Sequence, residues 1–317
     1  MDIILDILDT FVFDRCYASL LPDPSFGNNS STWDFKTPVN QHVGVYYPLQ
    51  ASELAYASLW KRDYVLRQGV SFFLIALIFA WLLYLAGSFI LYHTMFDKRM
   101  LQHPRFLPNQ ISQEIAQGMS SIPVISLLTA PFFVAEIRGF SKLYDFSSES
   151  PFWGYTLLQY PLFILFTDSG IYWIHRGLHH PLVYRWLHKP HHKWVVPTPY
   201  ASYAFHPLDG WAQSLPYHVF PLLFPLQKCA YLGLFVFVTL WTVLIHDAEY
   251  LSTSKIINGA ACHTMHHLHF NYNYGQYITL WDRIGGTYRI PEEDAFKMKQ
   301  NEEDKATKAA KALKKDM

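Results

Sequence analysis

Cysteine and charge are both scarce in this sequence of 317 residues. Its three cysteines, Cys16, Cys229 and Cys262, lie far apart with no CxxC pair, which argues against a disulfide framework and a thiolate zinc site. Charged residues make up 16% of the chain, below the roughly 25% of soluble domains. Basic and acidic residues number 25 each, so no net field favours nucleic acid, and no nucleic-acid partner is expected.

Three motifs of common enzymes are missing as well. HExxH is absent, so a zincin-type protease is not indicated. No GxGxxG follows a strand, which argues against a built-in nicotinamide or flavin domain, and no CxxCH is present to attach haem. Any redox chemistry would therefore need electrons from an external donor.

Hydrophobic residues make up 51% of the chain and gather in long uncharged stretches. A helix needs about 20 apolar residues to cross a bilayer. Residues 68–96 and 115–135 satisfy this, and 152–167 does so if the segment extends to 174 past Asp168. Residues 211–245 carry only one formal charge and are broken by prolines, which predicts a hairpin of two short segments, either spanning or re-entrant.

The number of membrane crossings before each segment predicts the side of the membrane on which that segment lies. With a luminal N-terminus, three crossings bring 175–210 to the cytosol, and the hairpin returns the chain to that side. The histidine-rich segments and the C-terminus are then cytosolic. Lys314 and Lys315 near the end look like a dilysine retrieval signal of the endoplasmic reticulum, which works only from the cytosol. Three basic residues on the luminal side oppose this assignment under the positive-inside rule; they are Lys61, Arg62 and Arg67.

Histidine is abundant, and thirteen of the 16 histidines fall between 175 and 269. Eight of them form three groups: His175 and His179; His188, His191 and His192; and His263, His266 and His267. Residues four apart share a helix face, so the first and last groups can each present a pair to one ion. Pro190 cannot lie deep in a helix. We expect a helix to begin near it, with His188 ending the preceding turn.

The number of imidazoles predicts two metal ions. Packed imidazoles without a metal repel one another when protonated, or leave buried nitrogens unpaired when neutral. Eight are too many for one ion with about four to six positions. Imidazole suits zinc, copper, iron or nickel. A nitrogen-rich two-metal site beside a membrane fits redox iron and dioxygen better than hydrolysis, although the spacing does not exclude zinc.

Several further residues are candidates for additional ligands or for hydrogen bonds that orient the ligands. The alternative for each histidine is a hydrogen bond to a neighbouring carboxylate. Carboxylates near the site can fix ring nitrogens, and the candidates for this role are Asp168, Asp209, Asp247 and Glu249. The further histidines are His180, His206 and His246.

The motifs resemble those of fungal sterol C5-desaturases, within the fatty acid hydroxylase and sterol desaturase superfamily. The matching segments are WIHRGLHH, LHKPHHKW, AFHPLDG, IHD and HTMHHLHFNYNYGQYITLWDRIGGTYR, all within about 150–290. This resemblance implies a multi-pass enzyme of the endoplasmic reticulum with the eight grouped histidines holding two iron ions. It also implies insertion of the C5=C6 double bond into a Δ7-sterol, as in ergosterol synthesis, with O2 and electrons from cytochrome b5 and its NADH-dependent reductase.

The predicted fold is an all-α membrane protein with about four spans and a cytosolic helical cap carrying the dimetal site. Its predicted parts are a luminal or interfacial segment (1–66), transmembrane helices with their loops (67–150), a fatty acid hydroxylase-type catalytic domain (151–290) and a charged cytosolic tail (291–317). Three alternatives stay open: another superfamily member such as a C4-methyl sterol oxidase or fatty acyl hydroxylase, a membrane metal transporter, and a membrane zinc hydrolase.

Overall fold

The computed structural model describes residues 1–26, 53–247 and 254–291, and helices dominate this part of the chain. The prediction of a helical fold is confirmed. Lys314 and Lys315 lie outside the described residues. The α-helices among the described residues are α1 (Asp2–Leu8), α2 (Asp14–Leu20), α3 (Val65–Thr94), α4 (Gln110–Ala135), α5 (Tyr155–Leu178), α6 (Pro181–Leu187), α7 (Pro207–Leu223), α8 (Lys228–Leu244), α9 (Ala260–His269) and α10 (Leu280–Ile284).

Strand structure in the described residues is limited to one short parallel pair and two isolated bridges. Strand β1 (Leu143–Tyr144) pairs with β2 (Leu226–Gln227), with Leu143 opposite Leu226. The β2 strand joins α7 to α8, so the predicted hairpin over 211–245 is present as two helices of 17 residues each.

Within the described part of the chain, two helical segments are long and apolar enough to cross a bilayer: α3, and α4 together with the π-helical turn Glu136–Phe140 that follows it. Only 22% of the most apolar 18-residue part of α3 is buried, whereas the core helix of a soluble protein would be mostly buried. Exposed Ile78, Leu82 and Phe89 leave an apolar surface suited to lipid. The α4 helix continues through Pro123 and Pro131, both of which lie in the uncharged stretch 115–135.

The described residues form two compact units. The first unit consists of Met1–Phe79, Ser126–Thr156 and Pro221–Gly233. Buried ion pairs hold its N-terminal helices to the start of α3: Arg62 contacts Asp14 at 2.5 Å, and Arg67 contacts Asp9 at 2.8 Å and Asp14 at 2.6 Å. Each of these arginines is therefore neutralised by an aspartate.

The second unit contains every grouped histidine and consists of Ala80–Ile125, Leu157–Phe220 and the chain from Leu234 onward. Trp194, fully buried, donates a hydrogen bond from Nε1 to the Ala204 carbonyl at 3.1 Å. The buried carboxylate of Glu114 accepts hydrogen bonds from the Thr198 hydroxyl and from Gln110. These contacts fix the segment that follows the second histidine group.

Candidate metal centre

Four segments of the second unit carry the clustered histidines. His175 lies in the last turn of α5, and His179 follows directly after the helix. His188 caps the C-terminus of α6 and begins a series of turns over 188–193 that carries the second group. No helix begins near Pro190, so that expectation is wrong, although His188 does end the preceding helix. The third group lies on α9, and His246 follows α8.

The structure gathers these side chains into two clusters, and in each cluster the candidate ligand atoms all lie within 4.8 Å of one another. The five-histidine cluster contains His175, His179, His188, His192 and His266. The four-histidine cluster contains His191, His246, His263 and His267. All nine side chains are buried except that of His179, which is half-buried.

The Nε2 atoms converge within the five-histidine cluster. His175 Nε2 lies 3.1 Å from His188 Nε2, and His192 Nε2 lies 3.2 Å from that of His179 and 3.1 Å from that of His266. The same nitrogen therefore points inward on every ring of this cluster.

The four-histidine cluster has the same arrangement. His263 Nε2 lies 2.9 Å from His246 Nε2 and 3.1 Å from His267 Nε2. His191 Nε2 lies 3.5 Å from that of His246. Four imidazoles from three separate segments thus turn one type of nitrogen toward a shared centre.

Backbone carbonyls determine the tautomer of four rings. A carbonyl oxygen only accepts hydrogen bonds, so a ring nitrogen facing one at close range must carry the proton. His175 Nδ1 donates to the Tyr274 carbonyl at 3.0 Å, and His266 Nδ1 donates to the Tyr272 carbonyl at 2.8 Å. In the other cluster the acceptors are the Ala204 carbonyl for His191, at 3.3 Å, and the Thr242 carbonyl for His246, at 2.6 Å.

A carboxylate orients a fifth ring. His188 Nδ1 lies 2.7 Å from Asp209 Oδ2, and both side chains are fully buried. Asp209 lies in the first turn of α7, and its other oxygen accepts a hydrogen bond from Gln213. Asp209 therefore does what the sequence suggested for it, since it fixes the Nδ1–H tautomer of a clustered histidine.

These tautomers make the clusters suitable for metal ions. With Nδ1–H committed to an acceptor, Nε2 carries a lone pair. His175 and His188 thus face each other with two lone pairs 3.1 Å apart, and His191 and His246 do so at 3.5 Å. Two acceptors at this distance repel unless a cation lies between them. The donor set is nitrogen only, which is the set the sequence predicted for a metal ion.

The electrostatic setting keeps four of the imidazoles neutral. Burial, followed by repulsion from neighbouring histidines, holds the pKa of His191, His192 and His263 well below the usual range. Burial lowers the pKa of His246 to about 4. Neutral imidazole is the form that binds a metal, so at neutral pH these four rings lose no proton before binding.

The remaining candidates lie in different surroundings. His180, which is exposed, caps the N-terminus of α6 by accepting from the Leu182 amide, and His206 accepts from the Leu208 amide at the start of α7. Asp168 accepts hydrogen bonds from the amides of Gln276 and Tyr277. Asp247 is buried and belongs to neither cluster. Glu249 lies outside the described residues. Of the further histidines named from the sequence, only His246 supplies a clustered ring.

Sequence reasoning missed Asp282, which is fully buried in α10. Its oxygens accept hydrogen bonds from the amides of Tyr274 and Gly275 and from the Thr287 hydroxyl, each at 2.8 Å. Asp282 belongs to the WDR motif that contributed to the resemblance, but nothing in the spacing of that motif indicated a connection to the histidines.

Aromatic rings surround the less buried side of the five-histidine cluster. The His179 ring centroid lies 5.4 Å from that of Tyr184 and 5.0 Å from that of Tyr274. Phe270 lies 4.9 Å from the ring of His192. The half-buried His179 is therefore bordered by apolar faces, which suits an apolar ligand better than a charged one.

Comparison with known proteins identifies the class. Residues 160–287, which carry all nine clustered histidines, match the Fatty acid hydroxylase family. No solved structure matches the chain.

Curated relatives define the family more closely. A Delta(7)-sterol 5(6)-desaturase of Aspergillus fumigatus is 59% identical over 302 residues, covering 95% of this chain and 89% of that protein. A probable Delta(7)-sterol 5(6)-desaturase of Neurospora crassa is 53% identical, covering 93% and 88%. The Candida albicans Delta(7)-sterol 5(6)-desaturase is 43% identical, covering 93% and 90%. The chain belongs to the Delta(7)-sterol 5(6)-desaturase family, so the predicted family is confirmed.

Proposed function

We propose that this chain is an O2-dependent Δ7-sterol C5-desaturase that holds one iron ion in each histidine cluster. The observation that carries the proposal is the convergence of Nε2 lone pairs from nine imidazoles on two centres. The names of the relatives supply the substrate class and the bond that is oxidised.

The ligands are the eight grouped histidines together with His246. His191 and His192 are consecutive yet serve different ions. Five imidazoles in one cluster and four in the other would each be able to hold an iron ion. Iron in these clusters supplies the dioxygen chemistry that removes two hydrogens from unactivated carbons while O2 is reduced to water.

The residues of this chain orient the ligands and exclude water. Asp209 and the four backbone carbonyls hold Nδ1–H, so that every oriented ring presents Nε2 without rearrangement. Tyr184, Phe270 and Tyr274 shield the side where His179 is less buried. The apolar faces of these rings suit a flat, apolar sterol on that side of the cluster.

Two electrons must come from outside the chain to balance the reduction of O2 to two waters. The partner is cytochrome b5 with its NADH-dependent reductase. Arg185, Lys189 and Lys193 are exposed and lie close in sequence to the clustered histidines, where they can attract an acidic carrier or reach lipid headgroups. Arg176, the fourth basic residue of this region, is half-buried and donates to the Gly285 carbonyl.

The chain is a multi-pass protein of the endoplasmic reticulum membrane with about four spans, a cytosolic cap and a cytosolic C-terminus. The exposed apolar surface of α3 supports the membrane location. Arg62 and Arg67 are paired with aspartates, and Lys61 contacts Asp23 at 2.8 Å. The positive-inside rule counts lysines and arginines and not net charge, so these three residues still oppose a luminal N-terminus, whereas the lysine-rich C-terminal segment favours a cytosolic end.

The division into parts follows from this topology. The luminal or interfacial part is 1–66, the spans with their loops occupy 67–150, the catalytic domain is 151–290, and the tail is 291–317. The clusters support the bounds of the catalytic domain, since all nine histidines lie between 175 and 267.

The other candidate functions have less support. A C4-methyl sterol oxidase or fatty acyl hydroxylase would share the clusters, but the relatives described here are named sterol 5(6)-desaturases over nearly their whole length. A metal transporter requires ligands that release the ion along a path, whereas these rings form two closed, buried groups. A zinc hydrolase requires neither O2 nor a reductant.

Product formation tests the proposal. Membranes containing the chain receive a Δ7-sterol, NADH and O2, and the 5,7-diene is followed by its ultraviolet absorption. We expect product with the native chain, none with His266→Ala, and native rates with His180→Ala, since His180 lies outside both clusters. Purified native chain is expected to hold about two irons. Product formed without O2, or an unaffected His266→Ala variant, would refute the proposal.

A further inference from the structure

The peptide bond between Tyr274 and Gly275 lies between a buried carboxylate and a clustered imidazole. On one side, the Gly275 amide donates to Asp282 Oδ2 at 2.8 Å. On the other side, the carbonyl of the same peptide, that of Tyr274, accepts from His175 Nδ1 at 3.0 Å. The carboxylate, the peptide and the ring thus form one hydrogen-bonded chain. Hydrogen bonds in such chains polarise one another, because each one strengthens the dipole of the next.

We infer that Asp282 is a positioning residue that acts on His175 through this peptide, raising the electron donation of the ring to its metal ion. The inference rests on the proposed metal centre and adds a determinant of its affinity and redox potential. Asp209 contacts His188 directly in the same cluster. Asp282 extends the same type of control to a ring that it does not touch.

The hydrogen bonds around Asp282 match an ionised carboxylate. Both oxygens accept from amide N–H donors, and Oδ1 also accepts from the Thr287 hydroxyl. A proton on either oxygen would meet an N–H donor. Burial raises the pKa of Asp282, and the three hydrogen bonds act in the opposite direction. The negative charge is therefore directed at the Tyr274–Gly275 peptide.

Glycine is needed at 275 for this close approach. A Cβ added there would lie 3.0 Å from Asp282 Oδ2 and 2.8 Å from the Ile278 carbonyl oxygen. An alanine would push the carboxylate away from the amide without removing its charge. This gives a second perturbation of the same contact, made from the opposite side.

The second carbonyl on this segment is supported through the same residue. The Tyr272 carbonyl accepts from His266, and the amide of that peptide, Asn273 N–H, donates to the Thr287 carbonyl at 2.9 Å. The Thr287 hydroxyl in turn donates to Asp282. Two ligands of the five-histidine cluster are therefore oriented by one short segment, which Asp282 fixes.

Asp168 provides a matched control in the same segment. It is also buried, and its Oδ1 also accepts two consecutive amides, those of Gln276 and Tyr277. The carbonyls of those two peptides bind the Asn258 side chain and the Trp241 ring nitrogen, not a histidine. Asp168→Asn therefore removes an equivalent charge from the same segment without changing the hydrogen-bonded chain that leads from Asp282 through the Tyr274–Gly275 peptide to His175. This hydrogen-bonded chain is called the relay below.

The experiment compares Asp282→Asn, Gly275→Ala and Asp168→Asn with the native full-length chain in detergent. Iron per chain is measured after equilibration with chelators, and the reduction potential of the bound iron is measured by redox titration. We expect iron binding about 10-fold weaker in Asp282→Asn. We also expect a more positive potential, because a weaker hydrogen bond at Nδ1 leaves His175 donating less electron density to the oxidised metal. Gly275→Ala is expected to shift the potential in the same direction by less, and Asp168→Asn to leave it at the native value.

The possible outcomes distinguish a failure of the proposed metal centre from a failure of the relay. A native chain without iron would refute the proposed metal centre, whereas a native chain with iron and an unshifted potential in Asp282→Asn would refute the relay alone. Equal shifts in Asp282→Asn and Asp168→Asn would also refute the relay, because they would assign both residues a merely structural role. If Asp282→Asn does not give a folded, monodisperse protein, Gly275→Ala decides, and an unshifted potential there overturns the inference.

Discussion

The contact between Asp209 and His188 yields a prediction with a definite magnitude. The two groups lie 2.7 Å apart, and neither is exposed to solvent. Asp209→Asn keeps an oxygen that can accept from Nδ1–H but removes the charge. Asp209→Ala removes the acceptor altogether and leaves Nδ1–H buried without a partner. The two variants therefore separate the effect of the charge from that of the hydrogen bond.

The structure sets the expected size of each effect. A hydrogen bond to a charged group contributes about 1.5–3 kcal/mol, and about 1.4 kcal/mol corresponds to a tenfold change in an equilibrium constant. We expect metal binding about 10-fold weaker in Asp209→Asn and about 100-fold weaker in Asp209→Ala. Gln213→Ala is the control, since Gln213 donates to the other oxygen of Asp209 at 2.8 Å and does not touch the ring.

The assay is a competition between the purified chain and a chelator of known affinity, with bound iron measured per chain. Melting temperatures of the metal-free proteins establish that each variant is folded. The Gln213→Ala control should have a dissociation constant for iron close to that of the native chain. A native dissociation constant in Asp209→Ala would refute the reasoning, because it would mean that His188 does not depend on its partner for metal binding.

Two further predictions concern stability. Burial lowers the pKa of His246 to about 4 and that of His191 well below its usual range, so the folded metal-free protein binds fewer protons than the unfolded chain. Its melting temperature should be maximal above the ordinary histidine pKa of about 6.5 and fall as the pH drops below it, and an acid-insensitive melting temperature would contradict this. Gly170→Ala should destabilise by about 1–3 kcal/mol, because its Cβ would lie 2.6 Å from Cγ of Pro216. Gly177→Ala, on the same helix with nothing within 4 Å, should stabilise by up to about 1 kcal/mol, and equal melting shifts in the two variants would refute the packing argument.

Local patterns in the sequence were enough to predict the helical fold and the family. Long uncharged stretches require helices, because an unpaired backbone is costly in lipid. Two prolines in α4 did not interrupt it, although proline removes an amide donor from a helix. The spacing of His175 with His179, and of His263 with His267, also follows from the helix repeat alone.

The division of the histidines between two clusters was decided by the tertiary structure. His191 and His192 are consecutive, yet the turns over 188–193 direct them to different centres. His179 and His180 are also consecutive, but one joins a cluster and the other caps a helix. Consecutive side chains in a turn point in different directions, and only the packing of the turn against other segments decides where each one ends.

The orientation of the rings was also decided at the tertiary level. His246 completes the four-histidine cluster from 17 residues before His263. Asp282 reaches His175 only through the Tyr274–Gly275 peptide, which lies 99 residues after His175 in the sequence. A residue type and its local spacing specify which atoms can bind a metal, because both depend on a few neighbouring residues. For His175, His188 and His191, the nitrogen that faces the metal depends on acceptors that lie 99, 21 and 13 residues away in sequence, and these are brought to the rings only by folding.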